Sequence, residues 1–146
     1  MIHHRDPKVG ELSRMSLFNN VPRKQLALVA ANLDEVDVEA GQTLVREEHH
    51  NDAFWIIRDG LVEMSVDGRK THELGPGDFF GATSMLDGKP AIATIVAKTP
   101  VKAFVASAAQ FRAIEGNDAV LMRLMHFAIQ RLREDLEIHL GRRAEE

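Results

Sequence analysis

Short β-type segments dominate the middle of the chain, over about residues 34–106. Each segment ends at glycine, proline or a polar turn residue, and apolar positions alternate with polar ones, as at Val62 and Met64. The pair Asp67-Gly68 between two segments is a strong hairpin-turn signal. Many short strands with regular turns are typical of sandwiches and jelly rolls rather than of βαβ units. The pattern therefore predicts a mainly β fold, a β-jelly-roll (double-stranded β-helix) barrel.

Helical patterns flank this β region on both sides. On the N-terminal side, Pro22 suits the first turn of the second of two short helices. On the C-terminal side, Ser107 and Gln110 fit a capping box, and a longer helix follows that Gly141 is expected to end. The C-terminal helices are thus predicted over about residues 107–140.

Composition narrows the class of protein. The 146 residues, 1–146, fit one domain whose core needs no covalent staple. The absence of cysteine excludes disulfides, thiol catalysis and cysteine-bound zinc, and fits a reducing cytoplasm. A formal net charge of −4 argues against a general nucleic-acid-binding face. No apolar run approaches a membrane span or a signal peptide, so we expect a cytoplasmic domain without a membrane partner.

The predicted C-terminal helix has an apolar seam with a spacing of alternately three and four residues. The seam consists of Met122, Met125, Ile129, Leu132 and Leu136. A second apolar stripe runs beside it, at Leu121, Leu124 and Ala128. One stripe is enough to pack a surface helix on its own core, so two stripes predict a homodimer through this helix. A single wide buried face is the alternative interpretation.

The order of elements and glycines resembles the cyclic nucleotide-binding domain, the module of catabolite-activator-type regulators and cyclic-nucleotide-dependent kinase regulatory subunits. The resemblance covers about residues 12–138. The stretch FWIIRDGLVEMS is similar to one hairpin of that family, and DGKPAIATI to the end of its phosphate-binding cassette. Further matches are at Gly75, Gly77, Asp78, Phe80 and Gly81. The resemblance implies a regulatory, signalling role, with cAMP or cGMP as the family's ligands.

One half of the family's cassette is present. The resemblance implies a short helix at Ala82–Leu86, entered through Gly81, whose backbone N–H groups would face a cyclic phosphate. Such amides do not depend on the identity of the side chains. The candidate pocket residues are Phe80, Gly81, Ala82, Thr83, Ser84, Lys89, Ala91 and Ile92.

The other half of the cassette, its polar side chains, is missing. Where the family has a glutamate for the ribose, this chain has Ala82, and where it has an arginine for the phosphate, this chain has Ala91. A position that often has a hydroxyl is Ile92. One charge-assisted hydrogen bond contributes about 1.5–3 kcal/mol. We therefore expect weak or lost binding of cAMP and cGMP from a degenerate cassette, with Lys89 as a candidate replacement cation.

Two other functions stay open. A ligand-free protein-interaction or dimerisation module would need only the scaffold. A cupin-type metalloenzyme would share the jelly roll, but the chain has no His-x-His pair, and His49-His50 is its one internal histidine pair. We expect no bound metal and no enzyme activity. The sequence ends at Glu146, soon after the long helix, so we expect no DNA-binding domain and an output through a protein partner or self-association.

Overall fold

The computed structural model describes residues 7–145. Helices frame a β region, and their bounds are α1 Pro7–Ser13, a 3-10 helix Ser16–Phe18, α2 Arg23–Ala31, α3 Ala82–Asp87, α4 Ala108–Glu115 and α5 Asp118–Glu145. The strands are β1 Asp34–Val38, β2 Thr43–Val45, β3 Ala53–Asp59, β4 Val62–Val66, β5 Arg69–Leu74, β6 Phe79–Phe80, β7 Thr94–Ala97 and β8 Val101–Ser107.

The strands form two four-stranded antiparallel sheets. Their orders are β1-β8-β3-β6 and β2-β7-β4-β5. The predicted hairpin between β4 and β5 is confirmed, because Asp67 and Gly68 both have positive φ, 52° and 77°, as the favoured two-residue turn requires. The arrangement confirms the predicted mainly β jelly-roll fold with flanking helices, built as two facing sheets.

Strand β3 is buried on both of its faces. Phe54 and Ile56 pack in a core cluster with the helices, while Trp55 and Ile57 belong to a second cluster between the two sheets. Successive side chains of a strand point to opposite faces, so a strand with a core on each side needs apolar residues at every position. This explains why the segment beginning at Ala53 lacks the alternation seen in β4.

The C-terminal helices begin where the sequence predicts. Ser107 and Gln110 form the expected capping box of α4. The Asn117 side-chain oxygen accepts a hydrogen bond of 3.1 Å from the Val120 amide and so caps α5. The prediction that Gly141 ends this helix is wrong, since α5 continues to Glu145. A glycine inside a helix costs only about 1 kcal/mol relative to alanine and need not end it.

Helix α5 lies against the β sandwich by one face. Val120 and Leu124 are fully buried in the helix-side core cluster, and Phe127 packs against that cluster with its ring 5.7 Å from the ring of Phe79.

None of the helices within residues 7–145 has an apolar stretch sufficient to cross a bilayer.

Candidate ligand-binding cavity

A cavity of about 80 Å³ lies where α3 and α5 meet the β sandwich. Its walls come from several strands, and α5 contributes Ala128, Arg131 and Leu132. Most of the lining is aliphatic or aromatic, including Val45, Met64, Val66, Phe79, Phe80, Ala93 and Ile95. The cavity therefore offers a largely apolar interior with α5 along one side.

The structure brings most of the predicted pocket residues to this one cavity. The lining includes Phe80, Gly81, Ala82, Thr83, Ser84, Ala91 and Ile92. Lys89 is placed differently: it is exposed, and its backbone amide donates to the Asp87 side chain at 2.9 Å. Lys89 is not among the residues that line the cavity, so the structure does not put its ammonium in the place of the missing arginine.

Gly81 has a conformation that other residues adopt with strain. Its φ is 92°, and a Cβ atom at this position would lie 2.3 Å from the Ala53 carbonyl oxygen. The Asn51 side-chain amide donates to the carbonyls of Ala53 at 3.0 Å and of Gly81 at 3.3 Å. The close approach of β3 to the start of α3 thus requires glycine whether or not a ligand is present.

The three substituted cassette positions lie at the same cavity but differ in exposure. Ala82 and Ala91 are buried in its wall, with 3% and 7% of their surface exposed, while Ile92 is 56% exposed. Ala91 is fixed by two backbone hydrogen bonds, from its amide to the His49 carbonyl and from the Glu48 amide to its own carbonyl. The wall that would face a ligand at these positions therefore consists of methyl groups.

Two acidic residues of the loop before β3, Glu47 and Glu48, do not line this cavity, although Asn51 of the same loop does. Glu47 and Glu48 line a neighbouring surface depression instead. The Glu47 carboxylate accepts hydrogen bonds from the Thr94 hydroxyl at 3.1 Å and from the Asp67 amide at 3.1 Å. Its negative charge is thus used to hold β7 and the β4–β5 turn together.

Arg131 is a site residue that the sequence analysis missed. Among the described residues that line the cavity, it alone has a charged side chain. Its guanidinium donates to the Phe79 carbonyl at 3.2 Å and lies 5.5 Å from the centroid of the Phe79 ring. The available signal was its place on the helix, because it continues the buried stripe after Leu124 and Ala128 at spacings of four and three residues.

A second polar contact joins α5 to the β sandwich. His72 on β5 lies 3.4 Å from the carboxylate of Glu134, measured from its Nε2 atom, and the His72 side chain is 16% exposed.

His49 and His50 are exposed in a loop, where His50 pairs with Asp52 at 2.6 Å. Within the described part of the chain, no three histidine or acidic residues are grouped as metal ligands would be.

The predicted seam lies on the solvent-facing side of α5. Its members keep about half of their surface exposed: Met122, Met125, Ile129, Leu132 and Leu136. The stripe beside it faces the protein, since Leu124 is fully buried and Ala128 lines the cavity. Leu132 of the seam also lines the cavity, so the two stripes lie side by side on α5. Because the seam residues stay about half exposed, the alternative of a single wide buried face does not describe this helix.

Residues 35–118 match the family model of the cyclic nucleotide-binding domain. The chain belongs to this family. The match spans most of the strands, α3 and the helix that follows β8, and it includes the cavity wall except for the residues that α5 contributes.

Regulatory subunits of cAMP-dependent protein kinase are among the similar proteins. The subunit of Eremothecium gossypii is 31% identical over 110 residues, which cover 75% of this chain and 24% of the relative. The chain thus spans about a quarter of the length of this relative.

Solved structures share the fold at lower identity. Cyclic AMP-bound PfPKA-R is 22% identical with a TM-score of 0.84, covering 93% of this chain and 48% of that one. The regulatory subunit of a cAMP-independent protein kinase A from Trypanosoma brucei is 21% identical with a TM-score of 0.81, covering 97% and 52%.

Proposed function

We propose that this domain is a non-enzymatic regulatory sensor whose affinity for cAMP and cGMP is weak or lost. The observation that supports the proposal is the cavity wall at Ala82 and Ala91. Both residues are buried in this wall, and their side chains offer no polar atom. The family resemblance puts the ribose and phosphate partners at these two positions.

A cyclic phosphate placed against these methyl groups would leave acceptor oxygens without partners. Burying these unpaired oxygens costs free energy, because the hydrogen bonds that the phosphate loses to water are not replaced by bonds to the protein. Loss of the arginine bond alone corresponds to about one to two orders of magnitude in affinity. We therefore expect dissociation constants for cAMP and cGMP no tighter than about tens of micromolar.

The similar structures are compatible with either outcome for the ligand. One of them contains bound cAMP, and another is described as belonging to a cAMP-independent kinase. The fold therefore occurs both in a cAMP-bound protein and in a subunit of a cAMP-independent kinase, and it does not by itself decide whether a domain binds cAMP. The absence of cysteine further supports our proposal that the domain acts in the reducing cytoplasm.

A second function, dimerisation, is favoured by the exposed face of α5. Ile129 and Leu132 keep 54% and 53% of their surface exposed, although their spacing suits helix-to-helix packing. We propose that a second copy of this chain covers the face, because an antiparallel or parallel pairing of identical seams matches apolar residues with apolar residues along its length.

Calorimetric titration of the domain with cAMP and cGMP tests the proposed loss of affinity. We expect no saturable heat at micromolar ligand, and a weak transition at most when the ligand is in the high micromolar range. A cAMP-binding regulatory subunit titrated with the same nucleotide stock confirms that the ligand is active. Sub-micromolar binding to the wild-type domain would contradict the proposal.

A further inference from the structure

We infer that a surface depression between the 3-10 helix and α5 docks an acidic segment of a partner protein. Ser16 and Asn19 form one side of this depression, and α5 forms the other between Ala119 and Phe127. It shares no lining residue with the cassette cavity, so the inference goes beyond the proposed function and does not depend on it.

Two hydrogen bonds hold the sides of the depression together. The Arg123 guanidinium on α5 donates to the Ser16 carbonyl at 3.3 Å. Near the start of α5, the Asn117 side-chain amide donates to the Gln25 side chain on α2 at 2.8 Å. Because α5 is fixed against both the 3-10 helix and α2, the charges of these elements belong to one surface.

This surface is basic in a protein that is acidic as a whole. Residues 12–33 include Arg14, Arg23 and Lys24 and no acidic residue, although the formal net charge of the chain is −4. Arg123 adds a further cation from α5, and no acidic side chain belongs to the described residues that line the depression. A local excess of positive charge favours a partner of the opposite sign and increases its rate of association.

The donors of the depression suit a carboxylate. The half-buried Arg123 guanidinium has five N–H donors in a planar fork, so its bond to Ser16 leaves donors for both oxygens of an acid. That bond also restricts the side chain before a partner arrives. The exposed His126 follows Arg123 after one turn and offers a further N–H donor to the same depression.

Apolar side chains lie beside these donors. Met122 keeps 66% of its surface exposed, and the half-buried Phe127 also lines the depression. Methionine adapts its shape to different partners, and an apolar contact beside an ion pair excludes water that would otherwise screen the pair. A protein segment in which acidic residues alternate with apolar ones meets both requirements. A nucleic acid would use the cations alone and would be repelled by the net charge of the chain.

The depression lies mostly outside the proposed dimer face. Of the residues in the apolar seam of α5, only Met122 is part of its lining. A second copy packed on the seam would therefore leave Arg123 and the side of the depression at Ser16 to another partner.

Three capped hexapeptides test the inference on the wild-type domain. Each has leucine at its third and sixth positions, and the other positions are all glutamate, all glutamine or all lysine. We expect the glutamate peptide to bind about tenfold or more tightly than the glutamine peptide, because its carboxylates gain charge-assisted hydrogen bonds, and the lysine peptide to bind least. The largest changes in amide chemical shift should lie in the 3-10 helix and in residues 119–127. Equal affinity for the glutamate and glutamine peptides, or shifts centred elsewhere, would overturn the inference.

Variants of Arg123 assign the preference to one group. Arg123→Gln should remove most of the preference for the glutamate peptide, and Arg123→Lys should restore part of it, as a point charge replaces the planar fork. Arg133→Gln is the matched control, because Arg133 lies on the same helix, is exposed and does not line the depression. If Arg133→Gln reduces the preference as much as Arg123→Gln does, the assignment is wrong. The comparison of peptides on the wild type remains decisive if Arg123→Gln does not fold.

Two further measurements separate the other possible occupants. Hexathymidylate is an anion without leucine side chains, and it should bind more weakly than the glutamate peptide at the same ionic strength. Tighter binding of hexathymidylate would contradict a protein partner. Light scattering should find the same molecular mass with and without the glutamate peptide. If the peptide converts a wild-type dimer to monomer, a second copy of the chain occupies this surface and the inference is wrong.

Discussion

Gly81 and Ala53 approach each other so closely that a Cβ atom on Gly81 would lie 2.3 Å from the Ala53 carbonyl oxygen. The contact is between backbone atoms of β3 and of the turn that starts α3, and a backbone oxygen cannot move aside as a side chain can. A glycine typical of the family's cassette is therefore required here by the fold. Its presence is not a sign that a nucleotide binds.

We predict that Gly81→Ala lowers the free energy of unfolding well beyond the cost of the left-handed backbone alone, which is about 1–2 kcal/mol. Gly88→Ala is the control, since Gly88 also has a positive φ, 70°, but open space where a Cβ would go. Chemical denaturation of both variants gives the comparison. Equal losses for Gly81→Ala and Gly88→Ala would show that the contact with Ala53 has no energetic effect.

We predict a measurable coupling between Glu11 on α1 and Arg58 on β3. The pair is bidentate, at 2.8 and 3.1 Å, both side chains are about two-thirds or more buried, and Arg58 also stacks over the Phe104 ring at 4.6 Å. A double-mutant cycle with Glu11→Gln and Arg58→Met should give about 1 kcal/mol, allowing for screening by water.

The hydrogen bond with Glu11 raises the pKa of Arg58. When folding raises the pKa of a cation, the resulting stability is present at any pH below the pKa of the unfolded chain, and it is lost only as the pH rises through the pKa of the folded protein. The coupling between Glu11 and Arg58 should therefore stay constant across neutral pH. The exposed pair Lys98 and Glu73, 2.8 Å apart, is the control and should show little coupling. A larger coupling for the exposed pair would contradict the account.

We predict that the domain is a homodimer and that Met125→Glu with Ile129→Glu gives a folded monomer. Both side chains lie on the exposed face of α5, and burying a charge against a second apolar seam is costly. The control introduces as many glutamates at exposed positions outside the seam, Gln130→Glu with Arg133→Glu, and should stay dimeric. Light scattering that finds the wild type monomeric at tens of micromolar would end this proposal.

Local signals in the sequence were sufficient for much of the fold. The turn at Asp67-Gly68 and the cap at Ser107 depend on neighbours in the chain, so their chemistry was readable directly. The prediction that Gly141 ends α5 is wrong because a glycine inside a helix costs only about 1 kcal/mol relative to alanine, so it does not by itself end a long helix.

The cavity was only partly predictable, because local patterns in the sequence do not show which distant elements meet in the fold. Family resemblance indicated the positions on and after Gly81, which are close in sequence and therefore close in space. Arg131 reaches the cavity only because α5 folds back across it. The contact between Arg131 and Phe79 joins residues that are 52 positions apart in the sequence. Lys89 was considered because it precedes Ala91, yet the turn after α3 leaves it exposed.

The most direct test of the central claim is to restore the missing cassette groups and titrate with cAMP. The variant has Ala82→Glu, Ala91→Arg and Ile92→Thr, with the three single variants alongside and thermal unfolding to confirm that each is folded. Calorimetry should show that the triple variant binds cAMP about two or more orders of magnitude more tightly than the wild type, and by more than the singles combined, since the groups act on one ligand. Sub-micromolar binding by the wild type, or no gain in a folded triple variant, would contradict the account.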